Sequence, residues 1–105
     1  MIFVLTTCTT VIGKEKEFEN TLNEMTAVYE KHGAKPVGFW WTLGGERNEA
    51  VWMYAWKDVN AYENGQEKVV ADENYPLEQM ASLIITYTDK ILKPQQNTEV
   101  LIKTL

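Results

Sequence analysis

The chain has 105 residues, the size of one ordinary domain, and 45% of them are apolar. With four Trp, five Tyr and three Phe it can build a core without disulfide or metal support. The formal net charge is −5, the pI is about 4.8, and no run of Lys or Arg occurs. Binding driven by a nucleic-acid backbone or an anionic membrane surface needs a basic face, so neither partner is expected. The one cysteine, Cys8, allows no internal disulfide and fits a reducing compartment. It reads as a small buried hydrophobe in a strand.

Residues 2–10 are rich in β-branched types and predict a first strand. The threonines at 6, 7, 9 and 10 interrupt its apolar character too early for a signal peptide. No run in the sequence is long enough to cross a bilayer, and a cytoplasmic location is expected. From Lys14 to His32, Phe18, Leu22, Met25, Val28 and Tyr29 recur at spacings of three and four, with Glu15, Glu17, Glu19 and Glu24 behind them. That is one stripe of an amphipathic helix, and Gly33 stands where a helix-ending glycine belongs.

Val37 to Leu43 and Ala50 to Trp56 predict the second and third strands, joined by a hairpin through Gly44-Gly45-Glu46-Arg47-Asn48. Asp58 can cap a second helix whose stripe is Val59, Tyr62, Gln66, Val69 and Val70, with Gly65 inside it. A break at Asn74-Tyr75-Pro76 precedes a short helical stretch around Leu77 to Met80. Leu83 to Leu92 predicts the fourth strand, stopped by Pro94. Residues 1–94 thus form the domain. Residues 95–105 form a tail whose weak alternation fits an edge strand or a dimer arm.

The predicted order is β-α-β-β-α-β, a ferredoxin-like α+β fold with two helices on one face of a four-stranded antiparallel sheet. The other face should then be polar. Instead Phe39-Trp40-Trp41, Val51 to Trp56 and Leu83-Ile84-Ile85 are apolar at consecutive positions, hence on both faces. One helical layer cannot cover both. A second copy, sheet against sheet in a two-fold homodimer, would cover the exposed patch.

At this point the sequence resembles the NIPSNAP family of the dimeric α+β barrel superfamily, over roughly residues 2–94. The resemblance rests on Gly13-Lys14 before Phe18, His32-Gly33 followed by Val37-Gly38-Phe39-Trp40, and Gly45 and Asn48 in the hairpin. It continues through the aromatic third strand, Ala71-Asp72 and Ile91-Leu92-Lys93-Pro94. It implies a homodimer whose two sheets close into a barrel, with small molecules held between sheet and helices. The superfamily includes cofactor-free monooxygenases, isomerases and haem-handling enzymes. This sequence departs from the family pattern at Val4, Thr6 and Cys8, at Trp52, and at Tyr62 and Gly65 or Gln66. There the family carries charged or protic residues, so the departures imply a more apolar, aromatic site.

The candidate site residues follow from chemistry and placement. Trp40, Trp52 and Trp56 can stack on a flat or greasy ligand, although packing explains each of them too. Tyr62 and Gly65 lie on the helix that would cover such a ligand, with Gly65 either loosening the helix or leaving room beneath it. Tyr54, Tyr87 and Asp89 are protic groups on strands, and a carboxylate among aromatics can act as a general base. His32, the sole histidine, is either a general acid or a last-turn capping group. No spacing suggests a metal site, a cofactor motif or a nucleophilic triad, and the lone His argues against haem. Two functions remain open. One is a cofactor-independent enzyme acting on a small apolar or aromatic molecule by isomerisation, cyclisation or proton transfer. The other is a non-catalytic carrier or protein-interaction module on the same dimer.

Overall fold

The computed structural model describes residues 1–44 and 48–95. Gly45, the centre of the predicted hairpin turn, and the tail from residue 96 onward, with its edge-strand reading, lie outside the described residues. The elements are β1 (Ile2–Thr10), α1 (Glu15–Lys31), β2 (Lys35–Trp41), β3 (Glu49–Trp56), α2 (Val59–Ala71), α3 (Leu77–Leu83) and β4 (Ile84–Leu92). They give the expected ferredoxin-like order with a third, short helix added before the last strand.

Helix α1 forms where the stripe predicts it, and Phe18, Leu22, Met25, Val28 and Tyr29 are all buried. Glu15 and Glu17 occupy its first turn, where carboxylates complement the helix dipole. Gly33 ends it with φ at +106°, a left-handed conformation that costs glycine no Cβ clash. Asp58 caps α2 by accepting the Ala61 N–H at 2.7 Å. The α2 stripe differs from its prediction at both ends, because Val59 and Val70 are exposed and the buried residues are Gly65 and Val69. Helix α3 continues to Leu83, which therefore caps the core from a helix and not from β4.

The sheet is antiparallel throughout, in the order β2-β3-β1-β4. Strand β2 starts at Lys35, two residues earlier than its pattern suggests. A register shift between Pro36 and Gly38 accommodates the proline on this edge strand. On β1, Thr6 pairs with Trp52 of β3 on one side and with Asp89 of β4 on the other. Val4 likewise sits between Tyr54 and Ile91, so these residues form neighbouring rows on one face.

The helices cover that face. Ile2, Val4, Cys8, Trp52, Tyr54 and Trp56 join the helical stripe in the core. Phe3 and Ala55, one residue out of phase, are buried outside that cluster, on the opposite face. Leu5, Val51 and Met53 share this second face with Trp40, which is 48% exposed. Both faces of the central strands are therefore apolar, as expected, and among the described residues no helix lies over the second one. No helix among the described residues is long and apolar enough to cross a membrane.

Candidate functional site

A cavity of about 360 Å³ lies between the sheet and the helices, toward the β1–β4 side. Its floor is Val4 and Thr6 of β1, Trp52, Tyr54 and Trp56 of β3, and Ile85, Tyr87 and Asp89 of β4. Met25 and Tyr29 of α1 and Tyr62 and Gln66 of α2 form the roof, while Tyr75, Leu77 and Met80 close one side. The floor follows from strand alternation, because every second residue of β1, β3 and β4 points to this face. The opening exists because the helices stop short of β4, leaving Tyr87 64% exposed.

Aromatic rings build most of the wall. Tyr29 and Tyr54 stack with centroids 4.6 Å apart and planes 18° from parallel. Trp56 meets Tyr29 edge-on at 6.2 Å and Tyr62 at 5.8 Å. Their polar tips are partnered: Gln66 Nε2 donates to Tyr29 Oη at 3.0 Å, and Tyr54 Oη shares a hydrogen bond with Thr26 Oγ1 at 2.8 Å. Burial pushes the Tyr54 phenol up to about 12. The same desolvation raises Tyr29, Tyr62 and Tyr75 above their ordinary value, so these phenols stay neutral near pH 7. At the floor, Thr6 Oγ1 donates to Asp89 Oδ1 at 2.6 Å. Short bonds of this kind are typical of a hydroxyl on a carboxylate.

Of the residues singled out from sequence, Asp89, Tyr54, Tyr87, Trp52, Trp56 and Tyr62 line this one cavity. His32, Trp40 and Gly65 lie elsewhere. His32 caps α1, and its Nε2 is 2.8 Å from Asp72 Oδ2 at the end of α2. Lys31 Nζ reaches the same oxygen at 2.9 Å, and the Asn74 backbone N–H donates to Asp72 Oδ1. The Asn74 bond, then His32 and Lys31, hold the Asp72 carboxyl well below the usual carboxylate range. This cluster clips the ends of α1 and α2 together. Trp40 sits on the uncovered sheet face opposite Val51. Gly65 is neither loose nor open: a Cβ there would overlap the Trp56 ring and come within 2.8 Å of the His32 carbonyl oxygen.

Tyr29 and Tyr75 belong to the site without being singled out from sequence, and Thr6 stands there only as a departure from the family pattern, not as a partner of Asp89. Tyr29 was absorbed into the helix stripe, and only the strand register brings Thr6 and Asp89, 83 positions apart, into contact. Among the described residues no group of three or more His, Cys, Asp or Glu side chains is assembled that could hold a metal ion. Cys8 is buried, and desolvation pushes its thiol up to about 12, so it is a packing residue with little thiolate.

The NIPSNAP family profile matches residues 4–98, nearly the whole chain. The protein belongs to the NIPSNAP family. A comparison with curated proteins finds no match. Among solved structures, an uncharacterized NIPSNAP domain protein from Burkholderia xenovorans is 20% identical with a TM-score of 0.81, covering 91% of this chain and 96% of its own. A NIPSNAP family protein of unknown function from Agrobacterium tumefaciens is 21% identical with a TM-score of 0.80, covering 90% of this chain and 87% of its own. SnoaB, a cofactor-independent oxygenase from Streptomyces nogalater, is 16% identical with a TM-score of 0.68 over 92% of this chain and 95% of its own. At these identities the likeness is one of fold. Within this NIPSNAP domain, the departures from the family pattern noted above at Val4, Thr6, Trp52, Tyr62 and Gln66 fall on the cavity wall, and those at Cys8 and Gly65 do not.

Proposed function

We propose that this NIPSNAP domain is a homodimer that binds a small apolar or aromatic molecule between sheet and helices and acts on it without a cofactor. The observation that carries the reading is the cavity of about 360 Å³, where aromatic walls and protic groups converge. Enclosed, mostly apolar pockets with a few placed polar groups are the usual form of a small-molecule site. A filled sheet–helix interface would instead have favoured a purely structural module.

Asp89 is the proton acceptor in this reading, with one carboxylate oxygen oriented by Thr6. Tyr87, two residues earlier on the same face, offers a phenol at the cavity mouth. Tyr54 serves as a wall, since its hydroxyl is engaged by Thr26. Isomerisation or cyclisation by proton transfer fits these groups, and the likeness in fold to a cofactor-independent oxygenase supports small-molecule chemistry on such a scaffold. The dimer reading is supported by the uncovered apolar face around Leu5, Trp40, Val51 and Met53.

Three measurements test this. Naphthyl probes should quench tryptophan fluorescence saturably and raise the melting temperature by linkage; no saturable binding across such a panel would refute the ligand site. With a turned-over substrate in hand, Asp89→Asn should lower the rate about 10²–10⁴-fold with the fold intact. Binding without any turnover would instead leave a carrier. Sedimentation should give about twice 12.1 kDa, and Met53→Asp should return the protein to monomer. A folded wild-type monomer at micromolar concentration would contradict the dimer.

A further inference from the structure

The charge pattern of the cavity says more about its occupant than its shape does. Among the described residues of its lining, Asp89 is the one Asp or Glu, and none is Lys, Arg or His. Thr6 is the hydrogen-bond partner of Asp89, and among the described residues no cation pairs with it. Lys90, next in sequence, alternates to the other face of β4. Asp89 is itself exposed at the edge of this cavity, and a ligand that covers it must bring the opposite charge or leave a carboxylate enclosed without a cation, which is costly.

The remaining groups favour the same sign. Ring faces carry negative quadrupole potential, and Trp52, Tyr62, Tyr75 and Tyr87 line the same cavity as Asp89. The Asp89 charge acts across this space, contributing to the raised pKa of Tyr29, Tyr62 and Tyr75. A carboxylate or phosphate entering here would meet Asp89 with no cation to offset it. The protein's net charge of −5 would oppose its approach as well.

We infer that this cavity selects an organic cation: a small aromatic or apolar amine, or a quaternary ammonium, with its charged nitrogen beside Asp89 and its apolar body among the rings. The inference rests on the reading of the cavity as a ligand site and deepens it by naming the charge of the ligand. A positive nitrogen also makes its own N–H and adjacent C–H protons more acidic. The carboxylate that holds it is then placed to receive one.

Three probes of one shape separate the two readings: 2-naphthylmethylammonium, 2-naphthylmethanol and 2-naphthoate, titrated calorimetrically at 0.15 M salt, where long-range attraction is largely screened. The ammonium should bind about tenfold or more tighter than the alcohol, which is the scale of a cation–π contact plus one charge pair. The carboxylate should bind weakest. Asp89→Asn should remove most of the ammonium's advantage while leaving the alcohol's affinity within about twofold, and Asp89→Glu should retain part of it. Equal affinities for all three probes, or the tightest binding for 2-naphthoate, would overturn the charge assignment and leave the ligand site standing. Failure of all three to bind would overturn the ligand site itself. The wild-type comparison decides between these outcomes even if Asp89→Asn does not fold.

Discussion

Two aromatic clusters lie on the same face of the sheet, and they do different things. Over β2 and β3, the fully buried Phe18 ring packs within 6.2 Å of Phe39, 5.6 Å of Trp41 and 5.9 Å of Trp52. This cluster packs around Phe18, and Trp41 Nε1 donates to Glu19 Oε2 at 3.0 Å. Toward β1 and β4, five tyrosines, with Trp56 and the shared Trp52, are mixed with Thr6, Gln66 and Asp89, and they line a cavity. Phenylalanine can be packed on every side, whereas each tyrosine hydroxyl demands a partner. Aromatic content alone therefore does not mark a site. The lesson is that tyrosine with a carboxylate, at the end of the sheet the helices leave uncovered, marks it.

The sharpest way to break the comparison is to truncate one ring from each cluster. Phe18→Ala should cost about 3–5 kcal/mol in chemical denaturation, the usual range for deleting a fully buried Phe. Tyr87→Ala, at an exposed cavity mouth, should change stability by less than about 0.5 kcal/mol. Equal costs would mean that the two clusters do not differ in kind.

Helix α2 forms part of the cavity roof, and Gly65 sets how closely it approaches Trp56. Gly65→Ala should destabilise by about 1–3 kcal/mol, because the new methyl overlaps the Trp56 ring. That outcome runs against the gain of about 1 kcal/mol that alanine normally brings to a helix interior. A net gain would show that α2 can move off Trp56, and that the roof of the cavity is not fixed there.

The first three strands and α1 were legible in the sequence because their patterns are strong and local. The stripe from Phe18 to Tyr29 permits one solution, and Gly33 ends it. Helix α2 was legible in position and, at Tyr62, Gln66 and Val69, in its inward face, but not at its ends or at Gly65. Its valines at 59 and 70 outweigh Gly65 in any apolar pattern, yet the glycine faces the core because it lets the helix approach Trp56 closely. The site was partly legible: alternation places Tyr87 with Asp89 and Trp52 with Tyr54. The Thr6–Asp89 contact was not, since it depends on the pairing of β1 with β4. For His32 the capping role was legible but not its partner, because Asp72 lies 40 positions away.

The clip at His32 yields the smallest expected effect. The Asp72 carboxyl is held below its ordinary value of 3.8 in the fold, so its stabilisation is complete above that value and is lost as pH falls below it. Asp72→Asn should therefore destabilise at pH 6, and the gap from wild type should narrow on acidification to pH 3. Urea denaturation of both proteins at the two pH values measures this. A gap that is constant with pH would show that the ionised carboxylate is not what matters.

The central claim is that the tyrosine-lined end of the sheet face is where a ligand sits. Intermolecular nuclear Overhauser effects between 2-naphthylmethylammonium and the protein's aromatic rings test it most directly. The account predicts contacts to Tyr62, Tyr75 and Tyr87 and none to Phe18 or Phe39. Contacts confined to Trp40 and Met53 on the other face of the sheet would contradict it.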